Sequence, residues 1–158
     1  MPPTFALEPL TESLCEEMLP LLHEHWQEVA QFPDIPLAPA FAAYLERQDA
    51  GNLRVYTVRT DRLMGYAVFF AQPNPHYVTS KQAASDVVFI HPTVRAFTAL
   101  RFLKWCDDQL AAEGCDLVYH RVKFSHNWSK ILERIGYTPA DLTLVKDLRT
   151  APVDAHAV

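Results

Sequence analysis

Residues 84–122 read ASDVVFIHPTVRAFTALRFLKWCDDQLAAEGCDLVYHRV, and three elements are legible in them. Residues 84–90 are rich in β-formers and stop at Pro92, which predicts a strand. Residues 98–112 carry Leu100, Leu103, Trp105, Cys106 and Leu110 as an apolar stripe at helical spacing, and Gly114 ends it. Residues 115–122 return to β-formers and predict another strand. A strand, a helix and a strand in succession imply a parallel pair joined by a right-handed crossover.

Upstream of that unit the pattern is antiparallel. Residues 52–60 alternate as a strand, Asp61 and Arg62 make a tight turn, and residues 63–71 form the returning strand of a hairpin. Residues 72–80 are polar and interrupted by proline, so they predict a loop. Residues 4–8 alternate as a short first strand. Thr11 or Ser13 offers an N-cap for a helix over residues 11–30, with Leu14, Met18, Leu21, Leu22 and Val29 on one face. Pro20 should kink or split that helix. Pro33, Pro36 and Pro39 make residues 31–39 a stiff connection to a second short helix, which Gly51 ends. Downstream, residues 127–135 predict a short helix and residues 137–148 a last strand. Residues 149–158 have little to bury and read as a loose tail. The whole describes one α/β domain over residues 1–148.

The composition sets outer limits. A chain of 158 residues with 49% hydrophobic and 21% charged residues matches a globular domain and excludes wholesale disorder. The longest apolar run, residues 67–71, is far below the ~20 residues a membrane helix needs. No apolar segment follows a basic N-terminus, so the expected compartment is the cytoplasm, with no membrane partner. The net charge of −5 argues against nucleic acid as the main partner. Cys15, Cys106 and Cys115 are odd in number and unrelated in spacing, which fits reduced thiols serving as small hydrophobes. His23 and His25 stand two apart on a helix and share no face, and no HExxH is present, so no metal is expected.

Four segments carry a family resemblance. Leu63-Met64-Gly65-Tyr66-Ala67 looks like a third strand of the apolar-Gly-aromatic type. The segment from Phe89 to Arg95 looks like the end of a fourth strand and the start of a phosphate loop. Leu100 to Leu110 is similar to the long helix after that loop, and Glu133-Arg134-Ile135-Gly136-Tyr137 to a Glu-Lys-Leu-Gly-Phe segment. Together they resemble the GCN5-related N-acetyltransferase (GNAT) superfamily. The resemblance implies a mixed, mostly antiparallel sheet whose fourth and fifth strands are parallel, with helices on both faces. A narrower likeness, over Phe102 to Asp108, Val118 to Lys123 and His126 to Tyr137, is to a subgroup common among bacteriophage and prophage proteins. His23 to Trp26 and Pro33 to Leu37 resemble that subgroup's N-terminal part.

For function, the resemblance implies acetyl-CoA as co-substrate and a small-molecule or protein amine as acceptor. A homodimer is an open expectation. The cofactor-binding residues it implies are Phe89, Ile90, Arg95, Ala96, Phe97, Thr98, Ala99 and Leu100. In such a site, backbone N–H groups at a strand-to-helix turn meet the pyrophosphate, and glycines let the backbone approach. Catalysis requires that the thioester be held beside an amine and that one proton be taken and one given.

The sequence departs from that pattern twice. The family's loop carries Gly at its fourth position and Gly or Ala at its sixth, whereas residues 95–100 contain no glycine. The chain has only four glycines in all, where about eleven would be average. Leu132 stands where the family often places a tyrosine acid. Tyr119, His120 and His126 are the candidates to replace it, with only one of Tyr119 and His120 able to face a cleft. Asp86 and His91 are candidate bases, His91 being equally a turn residue. Glu24, His23, His25 and Glu28 read as a solvated helix face, and Arg121, Lys123, Lys130 and Arg134 as a mixed surface that could meet a 3′-phosphate. Two functions follow: an N-acetyltransferase, or a GNAT-fold interaction protein that no longer catalyses. An open cleft between the fourth and fifth strands favours the first. Filling by Phe97 or Leu100, or a large exposed apolar patch, favours the second.

Overall fold

A computed structural model describes residues 1–149. The expected tail, residues 149–158, therefore lies outside the described residues except for Arg149. The chain runs β1 (Thr4–Leu7), α1 (Glu12–Val29), α2 (Phe41–Asp49), β2 (Leu53–Arg59), β3 (Leu63–Asn74), β4 (Tyr77–Ile90), α3 (Pro92–Ala112), β5 (Leu117–Tyr119) and α4 (Ser129–Glu133). The strands form one sheet in the order β1-β2-β3-β4-β5, antiparallel except for the parallel β4–β5 pair. This is the fold class expected from the sequence.

The sheet separates two apolar layers. On one face Leu14, Met18, Leu21 and Leu22 of α1 pack on Val55, Tyr66, Val68 and Phe89. On the other, Phe102, Cys106 and Leu110 of α3 pack on Tyr56, Val58, Ala67, Phe69 and Ile90. The alternation along β2 and β3 supplies both faces, because successive side chains point to opposite sides. Cys15 and Cys106 are buried within these layers as small hydrophobes.

Four local expectations are corrected. Pro20 does not split α1, which is one helix of 18 residues; Pro20 lies on the exposed face, where the carbonyl that loses its intrahelical donor is open to solvent. Residues 72–80 are not a loop but a hairpin joining β3 to β4, in which the Asn74 side chain accepts from the N–H groups of His76 and Tyr77. Pro73 is tolerated there because β2 pairs with β3 only as far as Phe70, leaving that side of β3 open. Residues 137–148 form no strand, and Leu142, Leu144 and Leu148 are exposed. The alternation was real, but no strand pairs with it.

The fourth correction bears on the site. The helix expected from residue 98 begins at Pro92. His91 is its N-cap, its Nδ1 accepting from the Thr93 N–H at 3.3 Å, and the His91 carbonyl accepts from the N–H groups of Val94 and Arg95. Residues 95–100 are thus helical, and their N–H groups are committed to backbone bonds.

Candidate functional site

β4 carries the decisive irregularity. Val68 pairs with Val87 and Phe69 with Ser85, so Asp86 is an extra residue without a partner on β3. Such a bulge bends its strand and re-aims the side chain at the bulged position. β5 pairs with β4 only through Gln82, Ala83 and Ala84, so the partnership ends beside the bulge. From Ser85 to Ile90 the β4 edge that faced β5 has no strand partner. The gap is a cleft of about 230 Å³.

Five chain segments wall this cleft: α1 through His25 and Glu28, β4 through residues 85–90, α3 through Arg95, Ala99 and Leu103, the segment after β5 through Arg121, Lys123 and His126, and α4 through Ile131. Phe97 and Leu100 do not fill it. Phe97 is 86% exposed on the outer face of α3, and Leu100 is 41% exposed. Thr98 is buried in the helix packing, and Ala96 is exposed. Of the residues expected to hold acetyl-CoA, Phe89, Ile90, Arg95 and Ala99 line the cleft, and Ala96, Phe97, Thr98 and Leu100 do not.

Glu28 organises the charge. Its two oxygens accept from Arg95 at 2.7 and 2.8 Å, and His126 Nε2 lies 3.2 Å from the same carboxylate. The bonds from Arg95 hold the Glu28 carboxyl below its ordinary value, against the opposing effect of burial. Arg95 also donates Nε to the Ile90 carbonyl at 2.8 Å and lies over the Phe89 ring. Lys123 donates to the Val29 carbonyl at 2.8 Å. The cleft therefore holds three cations, Arg95, Arg121 and Lys123, two histidines, His25 and His126, and two carboxylates, Glu28 and Asp86.

His25 belongs here rather than on a solvated face. Its ring stacks on Phe89 at 5.2 Å, and its Nδ1 lies 3.3 Å from the Tyr66 hydroxyl. Burial pushes the imidazole down to about 4, so it is neutral at pH 7. The sequence signal was faint: a histidine three residues before Glu28 on a helix whose other polar residues do face water. Asp86, at the bulge, accepts from the Tyr44 hydroxyl at 2.6 Å.

Of the three candidate acids, His126 lines the cleft, whereas Tyr119 and His120 lie elsewhere. Tyr119 ends β5 on an exposed side. His120 sits in an aromatic box of Phe69, Trp128 and Tyr137, with neither ring nitrogen bonded, and burial pushes it down to about 4. Neither lines the cleft. His91 serves the α3 cap and lies 3.5 Å from Glu24. Among the described residues no cluster has the makings of a metal site, and no helix is long and apolar enough to cross a membrane.

A second cavity of about 420 Å³ adjoins the cleft. It lies under residues 31–39, between α1, α2 and the sheet, and is lined by Leu22, Trp26, Phe32, Leu37, Phe41 and Val68 among others. Val87 and Lys123 line both spaces. Tyr44 lines the cavity while its partner Asp86 lines the cleft.

No family model and no curated protein matches this chain by sequence. Solved structures do match it by shape. A transcriptional regulator from Bacillus halodurans C-125 superposes with a TM-score of 0.72 at 16% identity, over 91% of this chain and 99% of that one. A ribosomal-protein-alanine N-acetyltransferase from Brucella melitensis biovar Abortus 2308 gives 0.67 at 19% identity, over 92% and 97%. An acetyltransferase from Trypanosoma brucei gives 0.68 at 16% identity, over 92% and 100%. At these identities the likeness is one of fold, and that fold is the GNAT fold.

Proposed function

We propose that the protein transfers an acetyl group from acetyl-CoA to an amine by direct attack in the cleft between β4 and β5. The observation that carries this reading is the coincidence of the Asp86 bulge with the end of β5 pairing at Ala84, which leaves a free strand edge inside an open cleft. A pantetheine arm is an extended chain of amides, and a free β edge offers it the bonds an added strand would make. The acetyltransferases among the structural neighbours support the same reading.

The fit to the co-substrate's phosphates is of another kind than the sequence implied. Helical residues 95–100 offer no free N–H groups, so the backbone cradle is absent. The cations Arg95, Arg121 and Lys123 on the cleft wall are the groups that would meet phosphate charge, as point charges or planar forks. Acetyl-CoA, when bound, supplies an activated acetyl carbon. The chain's own part is to take one proton from the amine nitrogen and return one to the leaving sulfur. Asp86 is the proton acceptor, oriented by Tyr44, and His126 stands on the opposite wall beside Glu28 as the donor.

The alternative is a GNAT-fold interaction protein without catalysis. The helical phosphate segment favours it, as do the exposed Leu142, Leu144 and Leu148. Thiol release from acetyl-CoA in the presence of a panel of primary amines separates the two. Transfer that falls in Asp86→Asn supports the enzyme. No thiol release with any amine, together with capture of a protein partner, supports the alternative. The resemblance to phage-associated sequences supports a setting in a phage-encoded host-cytoplasmic protein.

A further inference from the structure

We infer that the cavity under residues 31–39 takes the apolar body of the acceptor, so that the substrate is a primary amine carrying an aliphatic or aromatic group rather than a polar one. This rests on the acetyl-transfer reading of the adjoining cleft. A cavity of about 420 Å³ is within the usual range for small-molecule sites. Its wall is mostly hydrocarbon, including Leu22, Trp26, Leu37 and Phe41. A sugar or a polyamine would leave its hydroxyls or ammonium groups unpaired against that wall, which is costly.

Gln31, Tyr44 and Lys123 bring the polar side chains to that wall. The Tyr44 hydroxyl donates to Asp86, which lines the adjoining cleft. An amine with its apolar part inside the cavity would bring its nitrogen to that carboxylate and to the place where the thioester is expected. Lys123, the cation shared by both spaces, donates to the Val29 carbonyl. The roof is stiff, since Pro33, Pro36 and Pro39 restrict it, and Arg149 ties it down by pairing with Asp34 and lying over Phe32. A cavity held open in this way needs little rearrangement to receive a ligand.

The test uses the full chain and n-alkylamines from ethylamine to octylamine, with ethanolamine and spermidine as polar comparators. Calorimetry without acetyl-CoA should show octylamine binding and no binding of ethanolamine at the same concentration. Acetylation should rise about fourfold in kcat/KM for each added methylene until the cavity is full. Leu37→Trp, which fills the cavity, should flatten that slope. Ile35→Trp at the more exposed end of the roof should flatten it partly, and thermal melts confirm that both variants fold. A flat series, or preference for spermidine, would overturn the inference while leaving acetyl transfer standing. So would a chain-length gain seen with octanoyl-CoA in place of the amines, because the cavity would then hold the acyl chain. Octylamine binding without turnover of any amine would instead overturn the acetyl-transfer reading and retain the cavity's selectivity.

Discussion

The Tyr44 hydroxyl donates to the Asp86 carboxylate at 2.6 Å, and Asp86 is the residue that the β4 bulge leaves without a strand partner. Two features meet at one carboxylate. The bulge takes its side chain out of the regular alternation, and the hydroxyl fixes its orientation. Burial, and then the bond to Asp86, pushes the Tyr44 hydroxyl well above the ordinary phenol value, so it remains a donor throughout the physiological range.

Asp86→Asn keeps the size and the bond geometry but removes the base. It should lower kcat for amine acetylation about 100-fold, the low end for general base catalysis. Acetyl-CoA affinity should hardly change. Steady-state kinetics beside a binding isotherm checks both, and an unchanged kcat would remove Asp86 from the mechanism.

Arg95 and Glu28 predict effects of opposite sign. Arg95→Ala removes a cation from the cleft and should weaken acetyl-CoA binding about tenfold, the scale of one charge-assisted contact. Its cost to stability should stay near 1 kcal/mol, because the pair is partly exposed and screened. Glu28→Gln removes the carboxylate that competes for Arg95 and should tighten binding, most visibly at low salt. Weakening in both variants would mean the pair acts only as a brace.

Acid should destabilise the fold in a window set by two histidines. Burial lowers His25 and His120 to about 4, whereas an unfolded histidine titrates near 6.5. Between those values the unfolded chain binds more protons. Their contribution is therefore complete above about pH 6.5 and is lost as the pH falls toward 4, by roughly 3 kcal/mol per imidazole. Glu28, held low by Arg95, adds a further loss as the pH falls below the ordinary carboxylate range. Urea titrations at pH 7.5, 6 and 5 measure the slope. His120→Phe should flatten it and raise Tm at pH 7 by about 3 °C, since it removes two unbonded ring nitrogens from an aromatic box. A lower Tm would mean that the ring nitrogens have partners.

Gly65 is held by contact rather than by its dihedral angles. A Cβ there would meet the Phe89 carbonyl oxygen at 2.7 Å and the Ile90 Cα at 3.0 Å, both backbone. Gly65→Ala should cost about 2 kcal/mol, the middle of the range for overpacking. It should also weaken acetyl-CoA binding, because it displaces β4 at the floor of the cleft. A melt and an isotherm on the same preparation test this, and a wild-type Tm would contradict it.

The sheet was legible in the sequence because its signals are local. Alternation over residues 53–59, the Asp61-Arg62 turn and the apolar stripe from Leu103 to Leu110 each name an element on their own. The start of α3 was also written plainly, as a histidine cap followed by proline in the first helical turn, a common helix opening. Expectation of a phosphate loop displaced it. Asp86 was legible as a candidate but its bulge was not, since the extra residue exists only in the register with β3. His25 reads as part of a solvated helix face because its burial depends on Tyr66 and Phe89, distant in sequence. The apparent strand over residues 137–148 shows the converse, a pattern without a partner.

Calorimetric titration with acetyl-CoA, with free CoA alongside, tests the central claim most directly. Basic side chains in place of a backbone cradle should give micromolar binding, about −8 kcal/mol, with a strong dependence on salt. No heat at millimolar acetyl-CoA and low salt would contradict the account: the cleft would be a relic of the fold, and the cations on its wall would serve some other partner.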